Sequence, residues 1–508
     1  MHNIVHRDPI PLSSRLVMVR QEQRASITDY SYLLPVLIWL GALLVLRLAA
    51  IYAAKIDLVP DEAQYWSWSR ELAFGYFSKP PMIAWVIRAA SAICGNGEVC
   101  IRAASPVLYT LASLMIYLSG RALFDARVGF WSAVIFATVP GVSYSSLLIT
   151  TDVPLILFWT VALYAWIMLV KRQSMGFAVL LGLAVGLGLL TKQAMIYVVL
   201  CIICHAAISR EAREALKGGR AIIAALIAAT LFSPNVIWNA EHDFPTVRHT
   251  GANIGWQHPY VHPFEVFEYF AAQLGVFGPI LFIVLLRAAW REIRHPSDPA
   301  KILLLCFSLP VLALLMIQAL LSRAHGNWSA TAYPAAAILV TAVMLELNRR
   351  ILFWVSLGLH LAIAVTLAIA PAFALQLPLF ERLQFLSTVI GWRGVADAVR
   401  AKLAEDRYGA IVVDTRELAG ELLYYLRDEP NPLYVLPTGP RPSDHYELTR
   451  PFTAATPQPI LFVSLSKCPD KFLNSFAEAI RLDVVPVPLI ETRVRLLHFC
   501  RLAGYKGS

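Results

Sequence analysis

Eleven mostly apolar stretches, separated by short polar loops, occupy the chain from residue 32 to residue 371. In hydrocarbon every backbone N–H and C=O must be satisfied within the segment itself, so stretches of this kind can only be helices. A layer about 30 Å thick takes about 20 residues per crossing. The pattern predicts a polytopic α-helical membrane protein with 11 transmembrane helices, at 32–54, 104–120, 128–148, 153–170, 175–191, 194–208, 221–238, 270–287, 302–321, 328–345 and 351–371. The 508 residues are 58% hydrophobic and only 15% charged, well away from the balance of a soluble domain.

Residues 1–31 form a polar arm with Arg7, Arg15, Arg20 and Arg24. The span that follows has no small-residue cleavage site, so it reads as a retained anchor with a cytoplasmic amino terminus. Alternating from there, Arg121 and Arg127, Lys171 and Arg172, the Arg210 to Arg220 loop, the Arg287 to Lys301 loop, and Arg349 with Arg350 all fall inside. That is the positive-inside pattern. It accounts for the formal charge of +9 without nucleic acid, because the basic residues punctuate spans instead of forming one stripe.

The same count gathers the unusual polar residues on the outer face, with a first outer loop at 55–103. Beyond residue 372 the sequence becomes mixed: "AIVVD", "PLYVL", "PILFVSL" and "VRLLHFC" read as strands, and "WRGVADAVRAKLAED" and "RELAGELLYYLRD" as helices. The expectation is a small periplasmic α/β domain over 372–508, after a membrane domain at 32–371. Cys94 and Cys100 flank a Gly-rich turn on the oxidising face and are a candidate disulfide, with Cys468 and Cys500 a second candidate pair.

The first outer loop carries "VPDEAQYWSWSRELAFGYFSKPPMIAW" from Val59. Pro60, Asp61 and Glu62 suit the first turn of a helix, where proline needs no donor and carboxylates complement the dipole. Tyr65, Trp66, Trp68, Phe74, Tyr76 and Phe77 suit an interfacial helix at headgroup level. Asp61 at a membrane surface beside apolar walls is also where a lipid-borne substrate arrives, which favours a functional role. Lys79, fixed before Pro80 and Pro81, suits a phosphate, with a snorkelling lysine as the bland alternative. Asp152 in "TTDVP" caps a helix or serves the site. Lys192 in "LLTKQAM" must face a cavity, a partner or the interface. The loop containing Glu241, His242, Asp243, Arg248, His249, His258 and His262 has no zinc-type spacing and reads as substrate contacts or solvated loop. Arg323 with His325 in "SRAHGNW" is a further phosphate or sugar contact.

"DEAQYW", "YFSKPPMIAW", "TTDVP", "GLGLLTK" and an outer domain opening "GWRGVADAV" together resemble the membrane-integral glycosyltransferases of the C superfamily. The resemblance covers most of the chain and points to bacterial relatives of the protein O-mannosyltransferases, to the lipid A aminoarabinose transferases, and to enzymes that add galacturonic acid to lipopolysaccharide. It implies an inverting transfer from a polyprenyl-phosphate sugar to a lipid A or lipopolysaccharide-core acceptor at the periplasmic face, or to a protein or polysaccharide acceptor. In it Asp61 matches the catalytic first-loop aspartate, Lys79 the lysine on the donor phosphate and Asp152 the second acidic site. Glu62, Lys192, Arg323 and His242 join them as expected substrate contacts. The aminoarabinose branch has a glutamate, proposed to help hold a metal, before the matching lysine. Ser78 stands there in this chain, which leaves both a divalent cation and the identity of the sugar open. A lipid-linked sugar transporter is the alternative of another class. Against it stand the one-sided clustering of polar residues and the lack of two matching halves.

Overall fold

The computed structural model describes residues 31–255, 261–347, 349–373, 388–490 and 493–507. The amino-terminal arm and His258 lie outside them. Seven described helices are long and apolar enough to cross a membrane, namely Leu33–Ala53, Glu98–Leu123, Asp152–Arg172, Arg220–Glu241, Pro299–Leu321, Gly326–Glu346 and Arg350–Phe373. Three shorter apolar helices, Ala126–Thr138, Met175–Leu189 and Gln193–Ile208, stand where the remaining short spans are expected.

One expected span needs correction. The stretch 270–287 is two helices, Pro263–Phe277 and Pro279–Arg294, that meet at 111°. Gly278 sits at the corner with φ +94, a conformation that favours glycine, and a Cβ there would press on the His360 ring. Pro279 follows, with no N–H to continue the ladder. The pair is an eighth crossing only if taken as one bent span.

The core of the bundle is continuous, running from Trp159, Trp166 and Ile167 at its centre to Trp68 and Tyr76 of the first outer loop. That loop forms a helix, Pro60–Arg70, called here the loop helix, and an amphipathic helix, Met82–Cys94. It is stitched to other loops at the same end of the bundle: Met82 N–H donates to Leu190 O (2.9 Å), Asn235 Nδ2 to Phe74 O (2.7 Å) and Thr246 Oγ1 to Tyr76 O (2.9 Å). The loops assigned to the outer face thus share one surface.

The carboxy-terminal domain covers that surface. Its sheet runs β2-β1-β3-β6-β4, with β1 Ala410–Val413, β2 Leu433–Val435, β3 Ile460–Ser464, β4 Phe476–Arg481, β5 Val485–Ile490 and β6 Arg493–Tyr505. β1 is parallel to β2 and β3, in register at Val412, Tyr434 and Phe462, and β6 is antiparallel to β3, β4 and β5. The four strands read from sequence are β1, β2, β3 and β6. The edge strand β4 is almost wholly exposed and so lacks alternation, and β5 carries Pro486 and Pro488, which demote a strand reading. Both candidate disulfides are formed, Cys94 with Cys100 and Cys468 with Cys500.

The domain is clamped to the first loop at several points. Asp57 accepts from Trp392 N–H (2.7 Å) and from Arg393 Nε (3.1 Å), capping the helix Trp392–Glu405. Arg393 also pairs with Glu98 (2.7 Å), whose carboxylate accepts from Tyr425 as well (2.6 Å). The helix Arg416–Tyr425, called here the docking helix, lies directly on the loop helix, close enough that a Cβ on Gly420 would meet the Gln64 nitrogen at 3.4 Å.

Candidate active site

The loop helix starts where the sequence says it should. Val59 is extended, Pro60 fills the first helical position, and Glu62 reaches back to accept the Val59 N–H (3.0 Å). The same carboxylate accepts from Ile149 N–H (2.9 Å) and from Arg102 Nε (3.1 Å) and Nη2 (2.6 Å), with both side chains of the pair only 2% exposed. A buried charge is tolerable only when paired and fully hydrogen-bonded, and Glu62 is both. Expected as a substrate contact, Glu62 is enclosed by protein donors and staples the loop helix to the bundle.

Asp61, one residue earlier, turns outward, and its side chain is 53% exposed. Its Oδ1 pairs with Arg416 Nη1 at 2.9 Å, and the same Nη1 donates to Gln64 Oε1 at 2.7 Å. Among the described residues Asp61 Oδ2 has no partner, which leaves one carboxylate oxygen free for an incoming group. Burial works against the Arg416 charge, but Asp61 beside it outweighs that and holds the guanidinium above its ordinary pKa. Sequence reasoning found no site residue in the outer domain. The available signal was a cation in the first turn of a helix, where the dipole disfavours it unless a carboxylate waits nearby.

The loop around Lys79 supplies the next charge. Tyr76 N–H closes the turn onto Lys79 O (3.0 Å), and Pro80 and Pro81 fix the chain beyond it. Among the described residues the Lys79 ammonium has no hydrogen-bond or ion-pair partner. Burial first, then the charge of Lys192, pushes its pKa below the ordinary lysine value, while Asp61 and Asp152 oppose the shift. Lys192 itself pairs with Asp152 Oδ1 at 2.6 Å, and Asn327 Nδ2 donates to Asp152 Oδ2 at 3.1 Å. His249 joins the same field: burial, then Lys79 and Arg416, lower its pKa and keep it neutral. Tyr65 lies buried among these groups, its hydroxyl pushed well above its usual pKa by burial and by Asp61. Three cations, Lys79, Lys192 and Arg416, thus face two carboxylates, Asp61 and Asp152.

Beneath this polar layer a cavity of about 210 Å³ opens into the bundle, with Asp152 and Asn327 among its lining residues and Val139, Val142, Ile156 and Val276 along its walls. Of the charged groups above, Asp152 lines this cavity, so its apolar walls meet the polar layer at the Asp152–Lys192 pair.

Two expected contacts stand outside this network. His242 stacks on Trp238 (4.3 Å between centroids), with Nδ1 2.8 Å from Trp238 O. A separate aromatic group has Trp68 stacked on Tyr76 (4.6 Å), with His445 of the carboxy-terminal domain meeting both edge-on. Burial lowers His445 to a pKa of about 3. Arg323 is exposed on the loop after Leu321; its carbonyl accepts from Gln318 Nε2 (3.2 Å), and among the described residues its guanidinium has no partner. Among the described residues no three His, Cys, Asp or Glu side chains are grouped to hold a metal ion, and Ser78 adds no carboxylate beside Lys79.

Comparison with known proteins gives consistent results. Residues 78–238 match the family described as dolichyl-phosphate-mannose-protein mannosyltransferase. The chain is 35% identical over 415 residues to the lipid A galacturonosyltransferase RgtD of Rhizobium johnstonii, covering 80% of this chain and 86% of that one. It is 27% identical over 412 residues to the undecaprenyl phosphate-alpha-4-amino-4-deoxy-L-arabinose arabinosyl transferase of Erwinia tasmaniensis, covering 72% and 69%. The crystal structure of ArnT from Cupriavidus metallidurans in the apo state shares the fold, with a TM-score of 0.65 over 93% of this chain and 99% of that one, at 18% identity.

Proposed function

The chain belongs to the glycosyltransferase C superfamily, and from that premise we propose that it moves a sugar from a polyprenyl-phosphate donor to lipid A or the lipopolysaccharide core, at the periplasmic face of the inner membrane. The observation that carries the reading is the single charged layer formed by Asp61, Lys79, Asp152 and Lys192 above an apolar cavity.

In the proposed reaction the acceptor oxygen attacks the anomeric carbon, a new C–O bond forms, and the bond from that carbon to the donor phosphate breaks, with inversion. The polyprenyl phosphate leaves as an anion and needs cations instead of a general acid. Lys79, without a hydrogen-bond or ion-pair partner among the described residues, stands ready for it, and Lys192 can turn to it from Asp152. The acceptor hydroxyl gives its proton to the free oxygen of Asp61. Arg416 holds the other oxygen of Asp61 at 2.9 Å, which orients the carboxylate for the transfer. Glu62 takes no part in the chemistry; it fixes the helix that carries Asp61.

The test compares the lipopolysaccharide of cells with and without the gene by mass spectrometry, with complementation by wild type and by Asp61→Ala. Loss of one sugar-sized unit, restored by wild type and not by the variant, is the expected result. Full rescue by Asp61→Ala would overturn the assignment of Asp61 as the base. One branch of relatives is named for galacturonic acid and the other for aminoarabinose, which carry opposite charges.

A further inference from the structure

Among the described residues Arg416 is the side chain of the carboxy-terminal domain that hydrogen-bonds the proposed base, and its guanidinium is used unevenly. The Nη1 corner is occupied by Asp61 (2.9 Å) and Gln64 (2.7 Å). The opposite edge is nearly open: Nη2 reaches only Glu417, at 3.3 Å and 44% exposed, and among the described residues Nε has no partner. That Nε–Nη2 edge is the one whose parallel N–H bonds match a carboxylate in bidentate fashion. The docking helix holds it rigidly, since Thr415 caps the helix at Leu418 N–H and Gly420 packs on the loop helix.

Its position sets what the edge can meet. A sugar in transit has its anomeric carbon beside Asp61 and its phosphate at Lys79. The carboxylate of a hexuronic acid is separated from the anomeric carbon by only the ring oxygen and one carbon, so it lies within the reach of a cation already hydrogen-bonded to Asp61. A neutral hexose presents a hydroxymethyl group there and leaves the edge without an anion. An aminopentose brings a second positive charge toward Arg416 and Lys79, which a site selecting by charge rejects.

We infer that Arg416 is the sugar-reading residue of the site: its Nε–Nη2 edge binds the carboxylate of a uronic acid donor, and the outer domain exists in part to deliver it. This rests on the glycosyltransferase reading above. Binding of the carboxylate displaces only the long contact to exposed Glu417, so Asp61 keeps its partner through the reaction. The domain thereby links sugar choice to the base.

The experiment uses the purified full-length protein with lipid A as acceptor and two polyprenyl-phosphate donors, one carrying a hexuronic acid and one the matching neutral hexose. Wild type is expected to prefer the uronic acid in kcat/KM by about 10- to 100-fold, the range of a charge-assisted hydrogen-bonded pair. Arg416→Gln removes a partner of Asp61 and is expected to slow transfer of both sugars, but to cost the uronic acid donor more, through a higher KM for that donor, so that most of the preference is erased. Arg416→Lys retains the charge without the fork and is expected to fall between. An equal loss on both donors would mean that Arg416 only positions Asp61, and would overturn the inference while leaving the glycosyltransferase reading intact. A wild-type preference for the neutral donor would also overturn it. Transfer by wild type from an aminopentose donor but from neither of these would overturn the inference alone, and transfer from none of the three would overturn both. Because the readout is a ratio between donors on one protein sample, a partly misfolded variant still reports on it.

Discussion

Removing Glu62 should disable the site without touching a substrate. Its carboxylate collects two backbone N–H groups, from Val59 and Ile149, and two N–H groups of Arg102, all between 2.6 and 3.1 Å. In Glu62→Ala the Arg102 side chain, 2% exposed, retains only the carbonyls of Asp57 (2.7 Å) and Ile56 (3.5 Å). Breaking a buried ion pair from one side costs about 3–5 kcal/mol, mostly for the charge left behind. If about 3 kcal/mol of that appeared in the unfolding rate, the half-life for thermal inactivation would shorten about 150-fold. That rate in detergent at fixed temperature is the suitable assay, because polytopic proteins unfold irreversibly. The surviving protein should show a lower kcat, since a displacement of ~1 Å at a reacting group costs about 100-fold. Its donor KM should stay within about 3-fold of wild type, because no binding group has been removed. Replacing both partners by apolar residues of similar size should recover much of the lifetime. A Glu62→Ala protein with wild-type lifetime and kcat would refute the staple, and a raised donor KM with kcat intact would restore Glu62 as a substrate contact.

Asp61→Asn should lower kcat by about 100- to 10,000-fold on a hydroxyl acceptor, the usual worth of a general base, and by less on an acceptor phosphate, which is already ionised; near-normal turnover on both, measured with each acceptor, would remove the base from Asp61. Lys79→Gln should raise the donor KM by about 10-fold or more, as a charge-assisted contact to phosphate is lost. Burial lowers the folded pKa of Lys79, so its charge, and with it kcat/KM, should fall off as pH rises at values below the ordinary 10.5; Lys79→Arg, which stays protonated, should carry that limb to higher pH in a pH-rate profile. His445 is neutral in the fold, with its pKa lowered by burial from 6.5 to about 3. Stability tied to it is therefore complete above pH 6.5 and is lost as pH falls toward 3, at about 1.4 kcal/mol per unit, or about 2 kcal/mol between pH 7 and pH 5. His445→Phe should flatten that part of the inactivation-versus-pH curve, and an unchanged slope would show that His445 is not its source.

Seven of the spans were legible because hydrocarbon leaves the backbone no alternative to the helix, whatever the neighbours do. Their interruptions were not: Gly278 and Pro279 read as two residues within an apolar run, and only the packing of His360 against the corner reveals a 111° bend. The same limit divides the two acidic residues of "DEAQYW". Adjacent residues on a helix point about 100° apart, so one of the pair must face the bundle and the other away from it. Which one does so depends on Arg102 and Arg416, 40 and 355 positions distant, and neither distance leaves a trace in local pattern. Lys79, Asp152 and Lys192 were readable one at a time as charges that membrane edges do not accept idly. That Lys192 would neutralise Asp152 while Lys79 stayed without a protein partner is a property of how four loops converge. The outer domain shows the limit most sharply. Its strands followed from alternation, but its contribution to the site is one side chain whose importance depends wholly on what lies beneath the docking helix. A cation in the first turn of a helix opposes the dipole there, so Arg416 is costly in isolation and becomes intelligible only once Asp61 is found 2.9 Å away.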